Sequence, residues 1–158
     1  MKVLTEAQSR YWSKYLDTLS PNERPDDAFV EASFAGNRDA TDYLLSLYLD
    51  GKKHAGSGIL EDFISSGDPS PKVGNYWIFL DSKDEPRCIL RTERIALNKF
   101  KDVPAEIAAA EAEGDLSLEH WKRTHAKFYA PFLSTWGLSD INEATVVTEF
   151  FKIVFRYP

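Results

Sequence analysis

The sequence concentrates its most reactive polar side chains in one short stretch, 51–58, which reads Gly-Lys-Lys-His-Ala-Gly-Ser-Gly. Glycines let the backbone approach a ligand closely and can turn their N–H groups toward an anion. A lysine supplies a positive charge or, when its pKa is lowered, a nucleophilic amine, and a serine supplies a hydroxyl. We therefore take Lys53 and Ser57 as candidate catalytic residues and Lys52, His54 and Gly56 as candidate ligand-binding residues.

The same stretch also has a purely structural interpretation. Gly51 is the residue type that ends a helix in the left-handed conformation. Lys52 and Lys53 are the cations favoured at the negative end of a helix dipole. Because short motifs often match by chance, the residues alone leave both interpretations open.

A carboxylate, Glu93, lies in the segment 89–97, which is part of a predicted strand. Alternation along a strand places Glu93 on the same face as Arg91, its nearest partner. A carboxylate that points into a cleft would be a third candidate catalytic residue. The alternative is a structural ion pair with Arg91, since an unpaired buried carboxylate is costly.

Aromatic and imidazole side chains are candidate contacts for a planar ligand. Tyr76 and Trp77 alternate on a predicted strand, so one of them could stack a base in a groove. Trp121 and His125 lie one turn apart on a predicted helix. Packing in the core is the alternative for all four. The acidic run 111–115 is either a solvated loop or a ring of negative charge around a pocket.

Periodicity and capping signals predict the elements that position these residues. Thr5 and Gln8 match a capping box, Asn37 and Ser117 are N-cap residues, and Pro131 ends the last helix. The short apolar segment 29–34 fits either type of element. The predicted helices cover residues 5–19, 37–51, 105–113 and 117–131, and the predicted strands cover 76–81, 88–97 and 146–157. Helices that precede and interrupt strands indicate an α+β fold with a partly antiparallel sheet or small barrel.

Composition narrows the function class. The 158 residues fit one domain, and 43% hydrophobic residues suffice for a packed core. A net charge of −6 disfavours a protein that binds nucleic acid non-specifically. The single cysteine, Cys88, excludes an internal disulfide and fits a cytoplasmic location. Neither a membrane span nor a metal or cofactor site is expected from the residue patterns.

The segment 51–57 resembles the Gly-Lys-Lys-Thr-Ala signature of bacterial ASCH-domain proteins (activating-signal-cointegrator homology). Later segments agree with the family in the same order. They are Lys-Val-Gly-Asn-Tyr at 72–76, Arg-Thr-Glu at 91–93, Glu-Ala-Glu-Gly-Asp-Leu-Ser-Leu-Glu-His-Trp at 111–121 and Val-Thr-Glu-Phe-Phe at 147–151. The likeness extends over about residues 37–155, and it adds Lys72 and Arg91 to the candidate ligand-binding residues.

The resemblance implies a PUA-like small β-barrel with helices packed over one opening. It implies a single ASCH domain over 1–158, with helix 5–19 as an extension and a core of about 37–157. The family is proposed to bind RNA in the cleft between barrel and helix, and some members are reported to be ribonucleases.

One small branch of the family hydrolyses the acetyl amide of N4-acetylcytidine with a lysine, a threonine three residues later and a glutamate on a strand. The lysine falls on Lys53 and the glutamate on Glu93. The threonine position falls on Gly56, which has no nucleophile. Ser57 is the adjacent hydroxyl, although one step along a strand reverses the side-chain direction. His54, in place of the usual threonine, adds a group that titrates near neutral pH.

We therefore predict an intracellular protein that binds RNA, or a nucleotide or nucleoside, in a cleft lined by Lys53, Ser57 and Glu93. Two alternatives stay open. One is a hydrolase that acts on an N-acylated nucleoside or on RNA phosphodiesters through the same three residues. The other is a non-catalytic protein-interaction module. The sequence leaves the ligand and the oligomeric state undetermined.

Overall fold

The computed structural model describes residues 3–156, which form five strands and five α-helices. The helices are α1 (Glu6–Leu16), α2 (Arg38–Leu49), α3 (Leu60–Ser66), α4 (Ala105–Glu111) and α5 (Leu118–Tyr129). The strands are β1 (Val30–Phe34), β2 (Ala55–Ile59), β3 (Tyr76–Leu80), β4 (Pro86–Lys99) and β5 (Thr145–Arg156). No helix within residues 3–156 is long and apolar enough to cross a membrane.

The strands form one curled sheet in the order β1-β3-β4-β5-β2. β1 pairs with β3 in parallel, and the other pairs are antiparallel. The long strands β4 and β5 occupy the centre, and β1 and β2 are the two edges. Irregular steps in the β4–β5 register, which bend and twist a strand, help the sheet curl into a half-barrel. The predicted α+β, barrel-type fold is confirmed.

Most predicted elements are present with shifted ends. The capping box at Thr5 and the N-caps at Asn37 and Ser117 all begin helices. α1 ends at Leu16, three residues before the predicted end, and α4 ends at Glu111, two residues before it. β5 runs to Arg156, and the last residue of the predicted strand 146–157 lies outside the described residues.

Two strands were not predicted. The ambiguous segment 29–34 contains β1, and the glycine-rich stretch contains β2. Both depend on a partner distant in sequence, because β1 pairs with β3 and β2 pairs with β5.

The core divides into three clusters around the sheet. The first lies between the β2–β5 edge and helices α4 and α5, with Trp121 and Tyr129. The second packs α2 against one face of β3 and β4, with Tyr48 and Phe79. The third packs α1 against the other face, where Tyr76 lies. A cavity lies between the first two clusters.

Candidate functional site

Lys53 reaches a buried position because the end of α2 is tightly closed. Gly51 adopts a φ of 76°, which turns the chain out of the helix at little steric cost. The N–H groups of Lys52 and Lys53 both donate to the carbonyl of Leu47, at 2.9 and 3.0 Å. The chain then enters β2 with the Lys53 side chain only 3% exposed.

The ammonium of Lys53 is held by the end of α4. Its Nζ donates to Glu113 Oε2 at 3.0 Å and to the carbonyl of Glu111 at 3.1 Å, and it lies 3.6 Å from Glu111 Oε1. It also lies 5.3 Å from the centroid of the Tyr48 ring. A buried charge needs partners of this kind, and Lys53 has two carboxylates.

Glu111 is the centre of the network. Its carboxylate is 2% exposed and its Oε2 accepts hydrogen bonds from Ser57 Oγ and Trp121 Nε1, both at 2.7 Å. Ser57 Oγ lies 2.8 Å from Thr148 Oγ1, so the two hydroxyls can form a chain that ends on the carboxylate. His125 Nε2 lies 3.8 Å from Glu111 Oε1.

The end of α4 has an unusual conformation. Ala112, between the two glutamates, adopts a φ of 54°, which is uncommon for a residue with a side chain. This residue ends α4 immediately after Glu111. As a result, Glu111 and Glu113 reach the same lysine, although a continuing helix would direct them to different sides.

Helix α5 covers the network. The rings of Trp121 and His125 are stacked with centroids 4.0 Å apart, and His125 Nδ1 lies 2.8 Å from the carbonyl of Trp121. One turn further, Tyr129 donates to the carbonyl of Ser57 at 3.4 Å. Burial, followed by the nearby Glu111 charge, raises the pKa of Tyr129, so its hydroxyl stays protonated and acts as a donor.

A cavity of about 640 Å³ opens around the edge strand β2. Gly56 is paired with Glu149 and Ser57 with Thr148, so these two pairs point to opposite faces of the sheet. We call one side the aromatic half; it contains Glu149 and the rings of Tyr48, Trp77, Phe79 and Phe151. We call the other side the lysine half; it contains Lys53, Ser57, Glu111, Glu113 and His125.

Glu149 is the polar group of the aromatic half. Its Oε2 accepts hydrogen bonds from Trp77 Nε1 at 2.8 Å and from Thr92 Oγ1 at 2.7 Å. Burial raises the pKa of this carboxyl, and the two hydrogen bonds oppose that rise.

Three groups in the lysine half have the chemistry of metal ligands. One ligand atom each from Glu111, Glu113 and His125 lie within 4.8 Å of one another. Carboxylate and imidazole donors suit a divalent transition metal. However, the Lys53 ammonium already forms ion pairs with both carboxylates. A metal ion would have to displace this ammonium, so these residues fit an ion pair better than a metal centre.

A family model described as the ASCH domain matches residues 31–155 of this chain. The chain belongs to the ASCH domain family. The match runs from β1 through β5, so it includes every residue of both halves of the cavity, whereas α1 lies outside it. The predicted family is confirmed.

Solved structures agree with this assignment. The ASCH domain from Lactobacillus crispatus JV V101 is 23% identical, with 99% of each chain covered and a TM-score of 0.88. Protein EF3133 from Enterococcus faecalis V583 is 25% identical, over 92% of this chain and 86% of that one, with a TM-score of 0.75. The first likeness shows the fold alone. No match was found among curated proteins.

The structure of this ASCH domain brings five of the predicted site residues to one cavity. They are Lys53, Gly56, Ser57, Trp77 and His125. Trp121 is buried beneath the cavity and joins the site through its hydrogen bond to Glu111.

The other predicted site residues lie elsewhere. Lys52 and Lys72 are exposed and do not line the cavity. His54 is exposed beside a separate depression of about 280 Å³. Tyr76 packs against Trp12 and Tyr15 on the α1 side of the sheet, because adjacent strand residues face opposite sides.

Glu93 does not line the cavity. The β4–β5 register shifts between Thr92 and Arg94, which leaves Glu93 unpaired in the ladder and exposed. Its carboxylate pairs with Arg91. The structural alternative considered for Glu93 is therefore the one observed, and Glu111 supplies the carboxylate beside Lys53.

The absence of a threonine at position 56 has a steric explanation. A Cβ at Gly56 would lie 3.1 Å from the Tyr48 hydroxyl and 3.4 Å from Phe151 Cε2. The space that a threonine would need is thus filled. Sequence reasoning did not identify Glu111, Thr148 or Glu149 as individual site residues. The acidic run 111–115, considered as a ring of charge around a pocket, was the available signal for Glu111.

Proposed function

We propose that this ASCH domain binds a nucleoside, either free or as a single unstacked residue of RNA, in the cavity around β2. The observation that carries the proposal is that one cavity combines aromatic walls with buried hydrogen-bonding groups. Its volume of about 640 Å³ lies within the range of about 300–1,000 Å³ typical of small-molecule sites. Proteins read unstacked bases by aromatic stacking and by hydrogen bonds to the base edge.

The charges favour a base over a phosphate chain. Lys53, which lines the cavity, already pairs with two carboxylates. Lys52 and Lys72 lie outside the cavity. A site for a polyphosphate or a long RNA would need free cations along a groove. The cavity instead offers neutral aromatic surfaces beside acceptors, which suits the uncharged base and ribose.

Calorimetric titration with the common nucleosides tests this proposal. We expect binding by the wild-type domain that weakens about fivefold or more in Phe151→Leu, because stacking on an aromatic ring contributes about 1–3 kcal/mol. Phe150→Leu is the matched control, since Phe150 does not line the cavity and contacts Arg94 instead. Absence of nucleoside binding by the wild type, or equal weakening in both variants, would contradict the proposal.

A second candidate function is hydrolysis of an N-acylated nucleoside, and the lysine half favours it. Ser57 Oγ donates to Glu111 Oε2 at 2.7 Å, the geometry of a nucleophile beside its base. Ser57 Oγ would attack the carbonyl carbon while Glu111 takes its proton. Glu111 would then return the proton to the amine as the C–N bond breaks, and water would release the acyl group from Ser57 as a carboxylic acid.

Lys53 would support this chemistry electrostatically. Its ammonium lies 3.6 Å from Glu111 Oε1 and offsets the charge of the buried carboxylate. We expect measurable release of acetate from N4-acetylcytidine by the wild type and none by Ser57→Ala. Binding of cytidine should be retained in that variant. An unchanged rate in Ser57→Ala would exclude Ser57 as the nucleophile, and no turnover by the wild type would leave the domain a binding module.

A further inference from the structure

One oxygen of Glu149 has no hydrogen-bond partner among residues 3–156. Both hydrogen bonds, from Trp77 and from Thr92, go to Oε2. Among the described residues, the one buried side-chain polar atom that lacks a partner is Asn98 Oδ1. Oε1 of Glu149 is therefore not sealed in the core, and because Glu149 lines the cavity, this oxygen is accessible from it.

The surroundings of Glu149 fix the direction of this oxygen. The indole of Trp77 can only donate a hydrogen bond, and Thr92 is fully buried. These two donors hold Oε2, so the carboxyl group cannot turn freely and Oε1 stays directed away from them. The result is a single fixed acceptor beside aromatic rings.

Burial of the Glu149 carboxylate costs free energy of desolvation, which a role in ligand binding would explain. Moving a carboxylate from water into a largely apolar site costs free energy. The pKa of Glu149, which burial raises, reflects that cost. An apolar side chain would fill the position without it. A ligand with an N–H group on its edge would satisfy the open oxygen.

We propose that Glu149 determines the specificity of the cavity by accepting a hydrogen bond, through Oε1, from the exocyclic amino group of a nucleobase. This inference rests on the proposed nucleoside-binding function and assigns it a substrate class. Bases with an amino group, as in cytidine and adenosine, would be favoured. Uridine and inosine would be rejected, because each presents a carbonyl oxygen to another acceptor.

The expected discrimination follows from the charged hydrogen bond. Hydrogen bonds to a charged group contribute about 1.5–3 kcal/mol. The wild-type domain should therefore bind cytidine about 10- to 150-fold more tightly than uridine, with the same order for adenosine over inosine.

Glu149→Gln tests this role because the indole N–H of Trp77 determines the orientation of the glutamine side chain. The indole N–H needs an acceptor, so the glutamine oxygen must take the place of Oε2. Its NH2 group then occupies the position of Oε1. The open position changes from an acceptor to a donor, and the preference should invert so that uridine binds more tightly than cytidine.

Calorimetric titrations of cytidine and uridine against three proteins make the measurement: wild type, Glu149→Gln and the control Glu119→Gln. Glu119 is exposed on α5 and does not line the cavity. We expect inversion in Glu149→Gln and the wild-type preference in Glu119→Gln. Thermal unfolding of each variant verifies that it is folded.

The outcomes separate this inference from the function on which it rests. If the wild type binds no nucleoside, the proposed function itself fails. If it binds cytidine and uridine equally, or if folded Glu149→Gln keeps the preference for cytidine or loses both nucleosides alike, nucleoside binding stands and the role of Glu149 is overturned.

Discussion

At the scale of single residues, Lys53 is the group whose removal should have the largest effect. Lys53→Met keeps an unbranched side chain but leaves Glu111 and Glu113 buried or half-buried without their cation. Breaking a buried ion pair by removing one partner typically costs about 3–5 kcal/mol. We expect a loss of this size in the free energy of unfolding, measured with urea.

Lys52→Met is the matched control for that experiment. Lys52 is the preceding residue, is exposed and forms no side-chain ion pair within the described residues. Its substitution should change the free energy of unfolding by no more than about 0.5 kcal/mol. Similar losses in both variants would show that the Lys53 network contributes little to stability.

Glu149 should make stability depend on pH. Burial raises its folded-state pKa above the ordinary value of 4.5, so the folded protein holds this proton more tightly than the unfolded chain. The stability contributed by that proton is present below pH 4.5 and is lost as pH rises through the folded-state pKa. Relative to wild type, Glu149→Gln should therefore gain stability with rising pH.

The measurement is the difference in unfolding free energy between wild type and Glu149→Gln at intervals from acid to neutral pH. A common background of other titrating groups cancels in this difference. A difference that stays constant with pH, or that moves in favour of the wild type as pH rises, would contradict the assigned direction of the pKa shift.

The sequence predicted part of this site at the residue scale. Lys53 and Ser57 were identified because chemically active residue types were compressed between glycines. Glu93 was predicted from its place on a strand and from the resemblance to a strand glutamate of the family, whereas a register shift in β4 leaves it exposed. The role of Glu111 depends on a left-handed alanine at 112, and residue type gives no signal for that conformation.

At the scale of elements, the close approach of β2 to α2 sets what position 56 can hold. A Cβ there would meet the hydroxyl of buried Tyr48 at 3.1 Å, tighter than ordinary contact. Gly56→Ala should therefore destabilise the domain by about 1–3 kcal/mol, the usual range for an overpacked site. Gly56→Thr should be worse, because the longer side chain needs more of the same filled space.

A double-mutant cycle with Tyr48→Phe isolates this contact. Removing the hydroxyl removes the atom that the new methyl would meet, while the hydrogen bond it loses is long, at 3.3 Å to the carbonyl of Ala55. Unfolding experiments on both single variants and the double variant should give a favourable coupling of about 0.5–3 kcal/mol. Additive effects would show that the destabilisation by Gly56→Ala does not come from contact with the Tyr48 hydroxyl.

A helix or strand can be predicted from the sequence when the residues that cause it lie within the element itself. Helices α1, α2 and α5 carry their capping residues and apolar stripes in their own sequence, and β3 consists of aromatic and aliphatic residues that favour a strand. β2 reads Ala-Gly-Ser-Gly-Ile, which has no strand preference of its own. It is a strand because β5 supplies its hydrogen-bond partners, and that partner lies about ninety residues away.

At the scale of the whole molecule, the distribution of charge opposes binding through phosphate. The chain has a net charge of −6. Of the residues that the structure describes, one lysine, Lys53, and four acidic residues, Asp62, Glu111, Glu113 and Glu149, line the cavity. A phosphate that entered this site would meet carboxylates, and the lysine that could attract it is already paired.

Cytidine 5′-monophosphate should therefore bind more weakly than cytidine at low salt. The deficit should shrink as salt is added, because counterions screen the repulsion between phosphate and carboxylates over about 10 Å at 0.1 M. Cytidine itself, being neutral, should bind with nearly the same affinity throughout, which provides the internal control. Tighter binding of the monophosphate, weakening with salt, would instead indicate that an exposed cation such as Lys52 contributes to a phosphate site.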